Sequence, residues 1–408
     1  MTIVESSAKC PNINMRKAAW VSAAAPQLKP LSEARNMRAF VKVAVIGLGY
    51  VGVPLAAAVA ATGASVVGVD IDPGKVDAIN VGQSPLRGHE PGLQSLLKEQ
   101  VSKHHLRASL DPSDAANADV VAVCVETPIE PSTRDPSHKA LKAALAGIGP
   151  HLKRGALVTI ESTLAPGTME SVVRPTLERA SKMKVGRDVH LVHCPERLTT
   201  GKLLHHLTEL PRIVGANEPV ALRKALAFYG RFVNAEIHST DWTTAEVVKT
   251  AENAYWDVQL AFANEVALIS EELGVDAYRV RDLVNTCPFR MMLIPGAGVG
   301  GHCIPKDPWL LISPAVQTKP ELIPTARFVN DYMPKRMARL VEEGLAAAGR
   351  KVKGARVAVF GFAYRRLDLK ALKRTMRRAV IVDGRNVFAG PEVVKAGFVY
   401  RGIGKGQF

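Results

Sequence analysis

One cysteine of this chain stands in a turn that is almost bare of side chains, GVGGHCIPKD at 298–307. A cysteine thiolate is a strong nucleophile, and Cys303 follows glycines and precedes Lys306, whose positive charge favours the thiolate. The pattern predicts a reactive thiol with a lowered pKa that a substrate can reach. The alternative is a buried, inert cysteine, which suits Cys124 and Cys194 within apolar runs.

A second motif, GLGYVG, follows the apolar run that begins at Val41. Gly47 permits a tight turn, Gly49 lets the backbone approach a pyrophosphate, and Gly52 lets the next helix pack closely. Asp70 ends the following strand, eighteen residues after Gly52, where a carboxylate accepts from ribose hydroxyls and repels a 2′-phosphate. These features favour NAD over NADP. A glycine turn in an ordinary α/β sheet is the alternative.

Polar residues end three further apolar runs, ADVVAVCVETP, GALVTIEST and VHLVHCPE. They are Thr127, then Glu161, Ser162 and Thr163, then Glu196. In an open parallel sheet the ligand crevice lies beyond the carboxyl ends of the strands, so these residues are expected to line one cleft. Each is also an ordinary turn former, and position alone leaves both interpretations open.

A long helix is predicted in STDWTTAEVVKTAENAYWDVQLAFANEVALISEELG, with Ser239 or Thr240 as its cap. Lys249 and Asn253 are four residues apart and Asn264 is eleven further on, so all three share one helix face. Such a face is either solvated or lines a polar site. Position alone favours the solvated interpretation.

The order of these elements predicts an α/β protein. An N-terminal doubly wound Rossmann-type sheet precedes a central helical region and a truncated second α/β unit with strands in ARVAVFGFAY and AVIVDGRNVF. The expected divisions are an extension at 1–40, a dinucleotide-binding domain at 41–238, a helical domain with the cysteine turn at 239–348, and the truncated unit at 349–408.

The composition narrows the function further. No apolar run is long enough to span a membrane, and five cysteines without CxxC pairs or zinc spacing predict a reduced, cytoplasmic protein without a metal site. The formal net charge of +15 suits a phosphorylated small molecule or a basic, well-solvated surface. The basic run Arg365–Arg378 lacks the interleaved aromatics of single-strand binders, so nucleic acid is not expected as a partner.

The motifs GLGYVG, VDID, VETP, ESTLAPGT, CPERL, KTAENAY with FANE, GVGGHCIPKD, GFAY and DGRNVF occur together from about Val41 to Gly406. In order and approximate spacing they resemble the UDP-glucose/GDP-mannose dehydrogenase family. CPER and GGHCIPKDP are most similar to members that act on UDP-N-acetylmannosamine, with UDP-glucose as the alternative substrate. The resemblance implies NAD-dependent oxidation of a UDP-sugar C6 alcohol to the acid, with two NAD reduced.

In that chemistry the first oxidation gives an aldehyde, the cysteine attacks it, a second hydride leaves, and the thioester is hydrolysed. The resemblance implies catalytic roles for Cys303, Lys249, Asn253, Glu196, Asp307 and Thr163. It implies cofactor contacts for Gly47, Gly49, Tyr50, Val51, Gly52, Asp70, Lys75, Thr127, Glu161, Thr163 and Lys306. It implies substrate contacts for Glu196, Arg197, Lys249, Asn253, Arg290, Gly300, Arg365 and Arg385. A homodimer through the central helices would let Arg290 reach the neighbouring subunit's site.

One region departs from the family pattern. Only eighteen residues separate Tyr364 of GFAY from Asp383 of DGRN, where the family has most of a second doubly wound domain, and Arg365 stands where the family has lysine. Two strands and one short helix cannot bury a core, so this remnant is expected to dock on the central helices or on another subunit. Weaker substrate binding is expected. A degenerate, non-catalytic NAD-binding or oligomerising protein is the rival hypothesis.

Overall fold

The structure is a computed structural model, and it describes residues 42–357, 369–376 and 379–405. The expected extension at 1–40, the GFAY motif and Arg365 lie outside these ranges. Within the described ranges, no helix has the length and apolarity needed to cross a membrane.

An eight-stranded sheet forms the first half of the molecule, in the order β3-β2-β1-β4-β5-β6-β7-β8. Neighbouring strands are parallel except for the antiparallel pair β6 and β7. The strands are β1 Lys42–Ile46, β2 Ser65–Val69, β3 Leu106–Ser109, β4 Val120–Val123, β5 Leu157–Ile160, β6 His190–His193, β7 Arg212–Gly215 and β8 Ile237–Thr240. The order reverses between β1 and β4, where a doubly wound sheet opens its ligand crevice.

Helices cover both faces of this sheet and bury two apolar clusters against it. They are α1 Gly52–Ala61, α2 Pro73–Asn80, α3 Leu93–Ser102, α4 Lys139–Ile148, α5 Arg174–Ser181, α6 Leu203–Glu209 and α7 Pro219–Tyr229, and a π-helix at Met169–Val173 runs into α5. The Rossmann-type α/β prediction is confirmed.

The five predicted strands of the sheet are present, but sequence reasoning missed β3, β7 and β8. The missed strands contain the polar residues Arg107, Arg212 and His238, so their apolar runs are shorter than those of the predicted strands. The sheet continues to Thr240, two residues past the expected domain limit at 238.

The central helical region begins with α8 Trp242–Glu272, followed by α9 Ala277–Val284, α10 Asp307–Ile312 and α11 Leu322–Ala347. The cap of α8 is neither Ser239 nor Thr240, because the Asp241 carboxylate accepts from the Thr244 backbone N–H at 2.9 Å. A carboxylate next to the first helical residue satisfies amides that a hydroxyl further back cannot reach. Helix α11 lies at the end of the helical domain predicted at 239–348.

The C-terminal unit is a parallel pair, β9 Val380–Asp383 and β10 Val399–Gly402, with α12 Leu369–Thr375 and α13 Gly390–Lys395. Both strands pack on α11, as expected for a remnant that docks on the central helices. The sequence reading missed β10 and α13, although a proline at the start of α13 and Glu392 in its first turn are helix-start signals. The described part of ARVAVFGFAY, 355–357, is not a strand.

Candidate active site

The glycine turn after β1 has the shape that a bound dinucleotide requires. A Cβ on Gly47 would come within 2.9 Å of the Cys124 carbonyl oxygen, and one on Gly52 would lie 1.8 Å from the Gly47 oxygen. Among the described residues, nothing lies within 4 Å of a Cβ built on Gly49. Val51, which precedes α1, gives the helix no side-chain cap. The Val53 N–H donates to the Gly49 carbonyl at 3.1 Å, which leaves the amides before it for a pyrophosphate. The residues present therefore fit NAD.

Asp70 lies at the carboxyl end of β2, buried with 7% of its side chain exposed. Its carboxylate accepts from the Leu48 N–H at 2.6 Å and lies 3.2 Å from Lys75 Nζ. The predicted ribose acceptor thus also fixes the glycine turn. Tyr50, half exposed beside that turn, donates its hydroxyl to the Arg87 carbonyl at 3.0 Å.

The ends of β4 and β5 are joined through two threonines. The Thr127 hydroxyl donates to the Thr163 carbonyl at 2.6 Å, and both side chains are buried. Next to them, the Ser162 hydroxyl donates to the Val125 carbonyl at 2.5 Å. The structure therefore brings these strand ends together at one edge of the sheet, as the sequence predicted.

Glu161 has an internal position that the prediction of a cofactor contact did not anticipate. Its side chain has no exposed surface, and its carboxylate lies 3.1 Å from Arg212 Nη1 and accepts from the Tyr229 hydroxyl. Burial raises the pKa of Glu161, and the Arg212 charge opposes that rise. The carboxylate joins β5 to β7 and α7 in the interior of the sheet domain.

Lys249 projects from α8 toward the end of β6. Its Nζ lies 3.4 Å from Glu196 Oε1, and Glu196 Oε2 accepts from the Leu198 N–H at 2.7 Å. Only 6% of Lys249 and 1% of Asn264 are exposed, so the solvated interpretation of their helix face is wrong. An ammonium paired with one carboxylate in a buried setting can stabilise an oxyanion.

The cysteine turn is fixed to α8 by a chain of polar contacts. The Asn253 amide donates to Asp307 Oδ2 at 2.5 Å, and Lys306 Nζ lies 2.6 Å from Asp307 Oδ1. The backbone N–H groups of Lys306 and Asp307 donate to the Cys303 carbonyl at 3.0 and 2.9 Å. Because Asn253 is one helical turn after Lys249, the turn is held beside the part of α8 that carries Lys249.

Cys303 is exposed, as the glycine-rich turn predicted, but the predicted lowering of its pKa is wrong. Partial removal of the thiol from water, then the charges of Asp307 and Glu196, raise the pKa, while Lys249 and Lys306 lower it. The lysine beside the cysteine favoured a lowered pKa, but burial and the charges of Asp307 and Glu196 outweigh it.

Cys124 and Cys194 are less reactive than the exposed Cys303, because both thiols are enclosed in the sheet domain. Burial raises the pKa of Cys194 to about 11 and that of Cys124 well above its ordinary value. Both thiols therefore stay protonated, which agrees with the inert role expected for cysteines in strand runs.

Asn264 supports the segment that leads to the cysteine. Its side-chain oxygen accepts from the Gly296 N–H at 2.9 Å, and its amide donates to Asn330 on α11 at 2.8 Å. Close by, the buried guanidinium of Arg327 donates to Asp257 at 2.5 Å. Sequence reasoning missed Asn330, Arg327 and Asp257, although Asp257 repeats the helical spacing of Asn253 and Asn264.

The predicted substrate arginines are dispersed. Arg197 is held by the Glu252 carboxylate and donates to the Pro211 carbonyl at 2.8 Å. Arg385 is exposed at the end of β9, and its Nη1 would lie 3.7 Å from a Cβ built on Gly296.

Two further substrate residues lie at the surface. Arg290 is exposed, next to Phe289, which has a φ of +63° and is 86% exposed. Gly300 is exposed, with open space around it among the described residues. Arg385 therefore lies beside the segment that carries the thiol, whereas Arg290 projects from the molecule.

One buried acid near the site was not singled out from the sequence. Glu246 has no exposed surface and lies one helical turn before Lys249, and its carboxylate accepts from the Gly167 and Met169 N–H groups. The three-residue spacing from Lys249 was the available signal. Among the described residues, no group of three or more His, Cys, Asp or Glu side chains is placed to hold a metal ion.

A doubly wound sheet with this glycine turn, joined to a long helix that carries a buried lysine, defines an NAD-dependent dehydrogenase. Comparison with known families agrees. The NAD-binding domain of the UDP-glucose/GDP-mannose dehydrogenase family matches residues 41–233, and its central domain matches 243–332. The chain belongs to the UDP-glucose/GDP-mannose dehydrogenase family, and it is an NAD-dependent nucleotide-sugar dehydrogenase.

Individual relatives support this assignment. UDP-N-acetyl-D-mannosamine dehydrogenase of Pyrococcus horikoshii is 34% identical over 90% of this chain and 100% of its own, and its structure superposes with a TM-score of 0.84. The enzyme of that name from Escherichia coli is 37% identical over 80% of this chain and 78% of its own. The NDP-N-acetyl-D-galactosaminuronic acid dehydrogenase structure from Methanosarcina mazei is 30% identical, covers 93% of this chain and 98% of its own, and has a TM-score of 0.75.

The comparisons also bear on the C-terminal unit. The alignment with the Pyrococcus enzyme spans 425 positions, although it includes only 90% of the 408 residues of this chain. It therefore contains gaps on this side, in keeping with the missing part of the UDP-binding domain that the short spacing between GFAY and DGRN indicates. The second of the two matched family domains ends at residue 332, before the C-terminal unit begins.

Proposed function

We propose that this dehydrogenase oxidises the C6 alcohol of UDP-N-acetyl-D-mannosamine to the uronate through a covalent intermediate on Cys303. The observation that carries the proposal is the exposed thiol, in a turn that the Asn253–Asp307 hydrogen bond holds to α8 and on which the charges of the buried Lys249–Glu196 pair act. The names of the relatives support the choice of sugar. Bound NAD would accept a hydride from C6 at each of the two oxidations.

Each of the remaining steps is assigned to side chains of this chain. Lys249, with Asn253 beside it, stabilises negative charge on the C6 oxygen. Cys303 Sγ bonds to the aldehyde carbon and gives up its proton as the thiohemiacetal forms; the bases available are the carboxylates of Asp307 and Glu196, whose charges act on that thiol. After the second oxidation a thioester remains, and Glu196 activates the water that hydrolyses it. Thr163 and Asp307 order that water.

Turnover with a panel of sugars tests this proposal. The purified protein is incubated with NAD and, separately, with UDP-N-acetylmannosamine, UDP-N-acetylgalactosamine and UDP-glucose. Two NADH and one uronate per molecule of the first sugar are expected, with a high KM because much of the UDP-binding domain is missing. Preference for UDP-glucose would reassign the substrate. NADH from none of them would favour the non-catalytic NAD-binding protein.

We also propose that the chain forms a homodimer through α8. Three exposed apolar side chains repeat every seven residues along this helix, Tyr255 at 59%, Phe262 at 55% and Ile269 at 50% exposure, on the side opposite Lys249. A seven-residue repeat is the spacing at which two helices pack along a common seam. A second copy of the same helix is the matching partner, and it would bring its own Arg290 loop.

The substitution Phe262→Asp tests the dimer. A charge placed in the apolar stripe is expected to shift the protein from dimer to monomer, measured by light scattering after size-exclusion chromatography. Val316→Asp, at an 89% exposed apolar residue outside α8, is the control and is expected to remain dimeric. A Phe262→Asp protein that stays dimeric would contradict the proposal.

The reaction is proposed to take place in the cytoplasm, where the described cysteines remain free thiols.

A further inference from the structure

Glu246 joins the two halves of the site by contacts that no proposed catalytic step uses. It lies three residues before Lys249 on α8 and is fully buried. Its two carboxylate oxygens accept from the Gly167 N–H at 2.6 Å and the Met169 N–H at 2.7 Å. Helix α8 is therefore tied to the loop that follows β5.

That loop contains a tight turn between Thr163 and the helix that begins at Met169. The Thr168 N–H donates to the Ala165 carbonyl at 3.1 Å, and the central residues are Pro166 and Gly167, with a φ of +86° at the glycine. Proline followed by a residue with positive φ is the pattern of a type II turn.

The turn is held from both ends. Thr163 is fixed by the Thr127 hydroxyl at 2.6 Å, and the other end is fixed by the Glu246 carboxylate. A change at Glu246 is therefore transmitted to Thr163 through a short, constrained segment.

Stability alone does not account for an acid at this position. Burial raises the pKa of Glu246 to about 7, and the amides of Met169 and Gly167 offset that rise only in part. The ionised side chain is thus costly to bury. Helix α8 is fixed to the sheet without it, because Trp242 lies in the sheet's apolar cluster and its indole N–H donates to the Leu191 carbonyl at 3.2 Å.

We infer that Glu246 is a positioning residue for the oxidation. Its carboxylate holds the Pro166–Gly167 turn, and through that turn Thr163, at a fixed distance from Lys249. The inference rests on the proposed roles of Thr163 and Lys249. A carboxylate presents two acceptors to two N–H groups, whereas an amide of the same shape presents one acceptor and one donor.

The test is the isosteric variant Glu246→Gln, with Glu272→Gln on the same helix as the matched control. In Glu246→Gln, kcat is expected to fall roughly ten- to a hundredfold, because small misplacements of catalytic groups have effects of that size. The KM for NAD and the thermal unfolding midpoint are expected to stay at wild-type values. An unchanged kcat, or a loss of activity matched by a loss of thermal stability, would overturn the inference.

Two further measurements separate positioning from a general defect. In the double variant with Thr163→Ala, Glu246→Gln is expected to lower kcat little beyond the value for Thr163→Ala alone, because both changes act through Thr163. Fully additive losses in kcat would count against the inference. Hydrogen exchange at the Gly167 and Met169 amides, measured without sugar, is expected to accelerate in Glu246→Gln, and unchanged exchange would refute the contact. If the wild-type protein oxidised no UDP-sugar, the proposed function would fail, while the exchange result would still judge the contact.

Discussion

The dinucleotide-binding sheet and the C-terminal unit bury their apolar side chains in different ways. The sheet has a cluster on each face, built from its own strands and helices. The C-terminal unit has a small cluster around Val393 and Tyr400, and its Ile403, fully buried, belongs instead to a cluster with Ala267 and Ala277 of the central helices. The first region is therefore self-sufficient, whereas the second depends on its neighbours.

Polar contacts also tie the C-terminal unit to the central helices. The Gly404 N–H donates to Glu271 on α8 at 2.7 Å, and Lys405 Nζ lies 2.6 Å from Asp276 at the start of α9. A shortened domain can remain folded when part of its core and several of its hydrogen bonds are supplied by another domain. Cofactor binding should consequently tolerate changes at the C-terminal unit, whereas turnover needs both regions.

The largest expected effect comes from removing the thiol, which should abolish turnover but leave cofactor binding intact. Cys303→Ala is expected to lower uronate formation by at least about a thousandfold, because no covalent intermediate can form, while NAD affinity stays unchanged. Titration with NAD and mass spectrometry of the sugar product are the measurements. The exposed Cys287 gives the control Cys287→Ala, which should retain activity. Uronate formed at the wild-type rate by Cys303→Ala would exclude the covalent route.

A smaller effect is expected where the C-terminal unit docks. A Cβ on Gly404, at a φ of +67°, would lie 2.6 Å from the Ala277 Cβ, whereas Gly274 has a similar φ of +69° and open space around it among the described residues. Gly274→Ala is expected to lower the free energy of unfolding by about 1 kcal/mol and Gly404→Ala by about 3 kcal/mol.

Chemical denaturation measures both values, and NAD binding should survive in each variant. Equal losses in the two alanine variants would show that the docking contact is not tight. Loss of NAD binding in Gly404→Ala would show that the sheet is not independent of the C-terminal unit.

The smallest expected effect is on the pKa of Cys303, whose turn lies in the central helical region between the sheet and the C-terminal unit. Because Asp307 and Glu196 contribute to the raised pKa of Cys303, its alkylation at neutral pH should be slower than that of free cysteine and should accelerate as the pH rises. Glu196→Gln removes one negative charge and is expected to lower the pKa, so alkylation at pH 7 becomes several-fold faster. Iodoacetamide labelling followed by mass spectrometry measures the rate. A slower reaction in Glu196→Gln would mean that the carboxylate acts as a base for the thiol before sugar binds.

The dinucleotide half could be predicted from the sequence because its constraints are local. Gly47, Gly49 and Gly52 follow a strand at the spacing of a turn that no side chain can enter, and Asp70 ends the next strand. Lys249 and Asn253 could be placed on one face because helical spacing fixes their direction.

The rest depended on contacts between distant segments. Glu161 ends a strand like its neighbours, but Arg212 and Tyr229, far along the chain, draw its carboxylate into the interior. The pKa of Cys303 depends on Glu196, more than a hundred residues away in sequence. Strand β7 has only Ile213 and Val214 between an arginine and a glycine, whereas β4, of the same length, lies in a longer apolar run that is recognisable as a strand.

The length of α8 sets how far its residues lie from the contact that Glu246 makes. Glu246 ties the first turns of the helix to the sheet, Lys249 lies about 4.5 Å along the axis from that tie, and Phe262 lies about 24 Å from it. A tilt of about 3° pivoting at the tie would shift Phe262 by roughly 1.3 Å and Lys249 by roughly 0.2 Å. In such a tilt the Lys249 ammonium group stays nearly still, while the far end of the helix moves several times as far.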